Sequence, residues 1–312
     1  MTQRISIICH REAGGGKASQ VLKEVERILT EYKVHYLVYP TDYINQAPLL
    51  AKQIASSYKA DSQRVVVIGG DGTLHQVVST FYNLQIKIPI CYIKAGTGND
   101  FSRAWQKDIK TVRQAVDRIL FAHQAKELPI FTYRESVSGT RGIILNSLGI
   151  GFDAEVNYAS SKQAFKPFLT NHNLGSLSYL LAIFTSFKKL KDFQVTAQID
   201  NQIITQPHCV IACALNNPYF GGGIQLDQEV QADKAEIVLT LIHHINFWAV
   251  VELIWRILVT KTPNQSKHVS NFKGQTLSLS VDQPLRSQTD GEDQSVIQSH
   301  YQLAIDHYPF YL

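Results

Sequence analysis

The chain has 312 residues, 45% of them hydrophobic and 18% charged, which is the composition of a folded globular protein of about two domains and excludes a disordered or low-complexity chain. Its formal net charge of +4 is too small for a nucleic-acid footprint, so no nucleic-acid partner is expected, but it permits attraction to ATP or to an anionic membrane surface. Cys9, Cys91, Cys209 and Cys213 sit in apolar, strand-like settings without zinc-ligand spacing and are expected as buried thiols.

Arg4 leads directly into Ile5 to Cys9, a short strand and not the long apolar stretch of a signal peptide, so a cytoplasmic protein is expected. Gly14-Gly15-Gly16-Lys17-Ala18 is a glycine-rich turn before a helix from Ser19 to Tyr32, with Val21, Leu22, Val25, Ile28 and Leu29 on its apolar face. The turn is not a Walker A loop, because Ala18 stands where Ser or Thr must follow the lysine. Val34 to Tyr39 reads as the second strand, Thr41 as a helix N-cap, and residues 46–58 as the next helix.

Val65-Val66-Val67-Ile68 reads as a buried parallel strand that ends at Gly69-Gly70, and Leu74, Val77, Val78 and Phe81 place a helix over Thr73 to Tyr82. A strand that runs through glycines into a helix N-terminus leaves backbone N–H groups where a phosphate can come close. Asp71 would repel that phosphate unless it holds Mg²⁺, accepts a hydrogen bond or caps an ordinary βα turn. A second strand, Pro89 to Ala95, empties into Gly96-Thr97-Gly98-Asn99-Asp100-Phe101-Ser102-Arg103, at the edge where open α/β sheets bind ligands. After a helix from Ile109 to Ala122, strand-like runs follow one another: Pro129–Tyr133, Arg141–Gly149, Phe193–Ile199, His208–Leu215, Ala235–Ile242 and Thr276–Val281. The reading is an α/β domain with a parallel sheet followed by a mostly antiparallel β domain.

Two apolar helices interrupt those strands, Leu177–Leu190 with a lysine-rich end and Asn246–Lys261. Phe247 to Val259 carries Glu252 and Arg256 and falls short of the roughly 20 apolar residues of a membrane span. Trp248 and Trp255, a heptad apart, share one face, for which buried packing is the default expectation and a membrane or partner surface the alternative.

Gly69-Gly70-Asp71-Gly72-Thr73 followed by Gly96-Thr97, then Asn99-Asp100-Phe101 and Arg103, resembles the diacylglycerol kinase catalytic-domain family, the bacterial soluble lipid kinases with their sphingosine and ceramide kinase relatives. Asn146 to Ala154 is similar to that family's turn ending in Gly-Phe-Asp-Ala, although Asp153 suits a local cap equally well. The resemblance implies an N-terminal NAD kinase/phosphofructokinase-like nucleotide domain over 1–127, joined by a strand at about 300–312, and a β-sandwich lipid domain over 128–299. It implies ATP and Mg²⁺ as cofactors, with Thr41, Gly69, Gly70, Asp71, Gly72, Thr73 and Thr97 at the nucleotide and Asp71 and Glu292 as catalytic residues. By its residues alone, Thr289-Asp290-Gly291-Glu292 is a hairpin turn; the resemblance makes Glu292 the general base. It further suggests a structural metal held by Asp233 with the carbonyls of Val230 and Ala235, a site that neighbouring Lys234 would weaken.

The chain departs from the family at His10-Arg11, where an Asn-Pro pair is usual, at Pro129, where an Asp is usual, and at Asp227-Gln228, where a proline is usual. The expected activity is transfer of the γ-phosphate of ATP to the hydroxyl of a lipid alcohol, diacylglycerol giving phosphatidic acid. The expected protein is cytoplasmic and peripherally attached to a membrane surface, and a homodimer is compatible with the sequence. NAD kinase activity, or an inactive nucleotide-binding regulator at the membrane, are the rival readings.

Overall fold

The computed structural model describes residues 4–41, 43, 45–60, 62–152, 154–155, 191–294 and 296–312. The expected helix Leu177–Leu190 and Asp153 lie outside the described residues. The chain divides into two compact units, Met1–Leu128 with His307–Leu312, and Pro129–Asp306.

The first unit alternates strands and helices: β1 (Arg4–His10), α1 (Lys17–Glu31), β2 (His35–Thr41), α2 (Ala47–Ser56), β3 (Gln63–Gly69), α3 (Asp71–Asn83), β4 (Ile90–Lys94), α4 (Asp100–Trp105) and α5 (Val112–Phe121). β2, β1, β3 and β4 pair side by side and in parallel, as short right-handed crossovers demand. The C-terminal strand adds Phe310 and Tyr311 beside Ile90 and Cys91, again in parallel. One face of the sheet packs Ile5, Ile7, Val66, Ile68, Cys91 and Ile93 against Val21, Leu22, Val25, Ile28 and Leu29 of α1 and Val116 and Ile119 of α5. The apolar face expected of α1 is therefore the face it buries, each Leu, Ile or Val contributing about 1.5–3 kcal/mol. α5 starts at a capping box, Thr111 accepting from the Gln114 N–H while the Gln114 side chain accepts from the Thr111 N–H.

The second unit is a β-sandwich-like domain. Its strands are β5 (Lys126–Glu135, of which Pro129 onward belongs here), β6 (Arg141–Ile144), β7 (Ser147–Gly151), β8 (Phe193–Ile199), β9 (Gln202–Leu215), β10 (Tyr219–Phe220), β11 (Ile224–Gln225) and β12 (Ile237–His243). Helix α6 (Phe247–Trp255) follows, then β13 (Val269–Gly274), β14 (Thr276–Val281), β15 (Ser287–Thr289), β16 (Glu292–Asp293) and β17 (His300–Tyr311). The ladders among them are antiparallel. β8 alternates buried and exposed residues along its whole length, the mark of a strand with one wet face. β9 pairs β8 through its first half and lies between β7 and β12 through its second. The core fills with Phe131, Leu148, Val195, Ile237, Leu239, Leu277, Leu279 and Tyr301 among others.

Three elements depart from the sequence expectation. β9 begins at Gln202, six residues before the expected His208, with Pro207 inside it; its register against β8 shifts on that side, which accommodates a residue that cannot donate to the ladder. α4 starts inside what reads as a loop. Its N-cap Asn99 takes the left-handed conformation, φ 54°, which an asparagine tolerates. The default of buried packing for both tryptophans of α6 is overturned: Ala249, Val250 and Leu253 form its buried side, while Trp248 is 75% and Trp255 52% exposed. The four cysteines are free and buried, as expected.

Candidate functional site

Three glycine-bearing turns meet at the C-terminal ends of β1, β3 and β4. The carbonyl of Gly69 accepts from the N–H groups of Ala95 and Gly96 and from the Tyr92 hydroxyl, which joins the turn after β3 to the turn after β4. The contact is so close that a Cβ on Gly96 would stand 2.5 Å from Gly70 Cα, so only glycine fits at 96. A Cβ on Gly14, which has φ +63°, would stand 2.3 Å from the Ala95 carbonyl oxygen and 3.3 Å from Lys17 Cβ. The turn after β1 is thereby packed into the same knot.

Asp71 locks this arrangement. One of its carboxylate oxygens accepts from the Asp100 N–H at 3.0 Å and the other from the Phe101 N–H at 3.1 Å. A carboxylate at the opening of α4 satisfies donors with no intrahelical acceptor and opposes the positive end of the helix dipole. The remaining residues of the second motif are used locally. Asn99 accepts from the Gly96 N–H and donates to the Gly96 carbonyl, Arg103 Nε donates to the Gly98 carbonyl, and Phe101 is buried against Tyr92 and Phe310. Gly70, the N-cap of α3, supplies no capping side chain, so Gly72 and Thr73 open that helix with donors unfilled from within it. Thr97 is exposed at the tip of the second turn.

Thr41 is buried at the end of β2, and its hydroxyl shares a 2.8 Å hydrogen bond with His10 Nδ1 at the end of β1. The histidine in place of the usual asparagine thus holds the threonine, a partnership that parallel pairing of His10 with Thr41 provides and that no local spacing announces. Lys94 closes β4 opposite Gly69 in register. Burial lowers its pKa, helped by Lys110, Arg103 and Lys17 nearby. That gathering of cations went unread in the sequence, where its members are scattered over more than ninety positions.

In the second unit, Asp290 and Gly291 both take positive φ, 50° and 87°, so Thr289-Asp290-Gly291-Glu292 is a two-residue hairpin turn with Thr289 paired to Glu292. Asp290 is also an anchor: its carboxylate accepts from the N–H groups of Leu145, Asn146 and Ser147, at 2.7, 2.7 and 3.0 Å. Around it, Asn216 donates to the carbonyls of Pro129 and Leu145, and Asn217 to Asn146 Oδ1. Pro129, standing where a carboxylate is usual, contributes its backbone carbonyl to this network. Glu292, one residue past the turn, is half-buried on β16. The signal for this network was available in Leu215-Asn216-Asn217-Pro218, two amides directly after a buried strand.

The residues around Asp233 do not form a set that fits a divalent ion. Asp233 is exposed next to Lys234, the Ala235 carbonyl accepts from Gln275 Nε2, and no group of three His, Cys, Asp or Glu among the described residues is arranged to hold a metal. The anchor nearby is Asp227, buried and accepting from the Glu229 N–H and from the side-chain amides of Asn264 and Asn271.

A profile of the diacylglycerol kinase catalytic domain matches residues 4–132, and one of the YegS C-terminal NAD kinase beta sandwich-like domain matches residues 146–304. The chain belongs to the diacylglycerol kinase catalytic-domain family. Relatives in the family include "Putative lipid kinase YtlR" of Bacillus subtilis, 23% identical with 91% of this chain and 92% of that protein aligned. "Putative lipid kinase SAR0780" of Staphylococcus aureus is 22% identical over 91% of this chain and 88% of its own. Among solved structures, "a putative diacylglycerol kinase" from Bacillus anthracis superposes with a TM-score of 0.74 at 19% identity, covering 99% of this chain and 96% of that one. The family supplies the kinase reading, and the knot of turns around Asp71 is where this chain carries the family's first two motifs.

Proposed function

We propose that the protein is an ATP-dependent lipid kinase that transfers the γ-phosphate to the hydroxyl of a lipid alcohol, diacylglycerol giving phosphatidic acid. The observation that carries this reading is the Asp71 carboxylate held by the Asp100 and Phe101 N–H groups, because it makes one rigid cradle of the two family motifs. In that cradle the N–H groups of Gly69 to Thr73 and of Thr97 face the phosphates, and Thr41, held by His10, borders the nucleotide. Asp71, directly or through water, would orient Mg²⁺, which when bound would neutralise charge on the triphosphate. Glu292 takes the proton of the lipid hydroxyl as its oxygen bonds to the γ-phosphorus and ADP departs. A positioned base contributes roughly 10²–10⁴-fold to such a transfer.

The exposed face of α6 is the membrane-facing surface in this reading. Phe247, Trp248, Val251 and Trp255 are all more than a third exposed, and the face runs on through Leu258 and Val259 to exposed Lys261. Aromatic side chains beside lysine suit the boundary between headgroups and acyl chains of an anionic bilayer. Among the described residues no helix is long and apolar enough to cross one. The test is transfer of labelled γ-phosphate from ATP to dispersed diacylglycerol, sphingoid base, ceramide or undecaprenol, with NAD as a competing acceptor. Label in a lipid supports the reading. Label in NAD alone, or ATP binding with no turnover on any lipid, overturns it.

A further inference from the structure

Lys94 is a partly buried cation at the end of β4, and among the described residues its ammonium makes no hydrogen bond or ion pair. Lys17, the first residue of α1, is exposed, and the contact of Gly14 with both Ala95 and Lys17 brings the two lysine-bearing segments together. The neighbouring cations are already engaged: Arg103 donates to the Gly98 carbonyl and lies 4.0 Å from Asp100, and the Lys110 ammonium donates to the Lys107 carbonyl. The bland account of Lys94 is a solvated surface lysine. Against it stand its partial burial and the three cations that act on it, which together depress its pKa. Such a charge is costly to hold without a counter-charge, and an anion would relieve it.

The position says which anion. Lys94 pairs in register with Gly69, whose turn opens α3, and it immediately precedes Ala95-Gly96, the start of the second turn. A group with several negative charges resting on those turns would place one end against Lys94. We propose that Lys94, with Lys17 beside it, grips the terminal phosphates of a nucleoside triphosphate bound at the glycine turns. The inference rests on the nucleotide reading above and adds to it a side-chain contact that selects for phosphate number.

The experiment is calorimetric titration of ATP, ADP, AMP and inorganic tripolyphosphate into the full chain and into Lys94→Met and Lys94→Arg. Thermal melts beforehand establish that each variant is folded. Lys94→Met is expected to weaken ATP and tripolyphosphate about 10- to 100-fold, the range for one hydrogen bond to a charged group, and to leave AMP unchanged, with Lys94→Arg recovering most of the loss. Equal affinity of ATP for Lys94→Met and wild type, or an equal loss for ATP and AMP, overturns the Lys94 contact while leaving the nucleotide reading intact. Wild type that binds tripolyphosphate through Lys94 but no nucleotide keeps the anion site and overturns the nucleotide reading.

Discussion

Asp71 opens one helix and closes the start of another: it is the first residue of α3, and its carboxylate accepts the N–H groups of Asp100 and Phe101 at the head of α4. Asp71→Asn keeps the size of the side chain but loses its charge and presents an amide to a donor. The expected result is complete loss of phosphoryl transfer with the fold retained, at a cost of about 0.5–2 kcal/mol in stability, the range for a lost cap. Urea unfolding beside the label-transfer assay checks both halves.

Gly96 and Gly70 face each other across the two turns, yet they differ in what they tolerate. A methyl at Gly96 meets Gly70 Cα at 2.5 Å, whereas one at Gly70 meets its nearest atom, Gly96 Cα, at 3.4 Å. Gly96→Ala is therefore expected to destabilise by about 1–3 kcal/mol, as overpacking does, and Gly70→Ala by well under 1 kcal/mol. Equal shifts in the denaturation midpoints of the two variants would contradict the packing described here.

Asp290 is expected to matter for folding more than for chemistry. Three backbone N–H groups depend on its carboxylate, and Asp290→Ala strands them in a buried site at a cost of at least about 2–4 kcal/mol. Asp290→Asn, which retains one acceptor oxygen, should lose about half of that. Guanidinium unfolding of the two variants gives the comparison.

Stability should fall as the pH drops from neutral. Burial, with His244 and His268 close by, lowers the pKa of His243, whose Nε2 is bound to Ser270 Oγ and whose Nδ1 is buried without a partner among the described residues. The unfolded chain, with a histidine pKa near about 6.5, therefore takes up the proton first. The stabilisation is complete above that pH and is lost as the pH falls through the folded value. Thermal melts from pH 7.5 to 5 should show the decline, and His243→Gln should flatten it.

The exposed tryptophans give a further test. Trp248→Ser with Trp255→Ser is expected to abolish co-sedimentation with vesicles of phosphatidylglycerol and phosphatidylcholine while activity on a short-chain, water-soluble diacylglycerol survives. Undiminished vesicle binding by the double variant would remove α6 from the membrane contact.

The parallel sheet and its helices were legible because their apolar residues repeat at the spacing of the elements they build, as in Val65 to Ile68 and in Val21 to Leu29. The two motifs of the first unit were legible as glycine turns at the ends of strands. What joins them was not: the Asp71 carboxylate reaches N–H groups 29 and 30 residues away, and His10 reaches Thr41 across a β-pairing. Contacts of that kind come from topology and leave no local period. The exposure of Trp248 and Trp255 stood only as the alternative for a related reason, since an apolar side chain has the same spacing whether it is buried or exposed.

The central proposal is that Glu292 is the base for phosphoryl transfer from ATP. Its most direct measurement is label transfer from the γ-position of ATP to diacylglycerol by wild type and by Glu292→Gln, with ATP binding measured on both. Wild type should label the lipid, and Glu292→Gln should bind ATP with unchanged affinity and transfer at least 10²-fold more slowly. Transfer at the wild-type rate by Glu292→Gln would contradict the account.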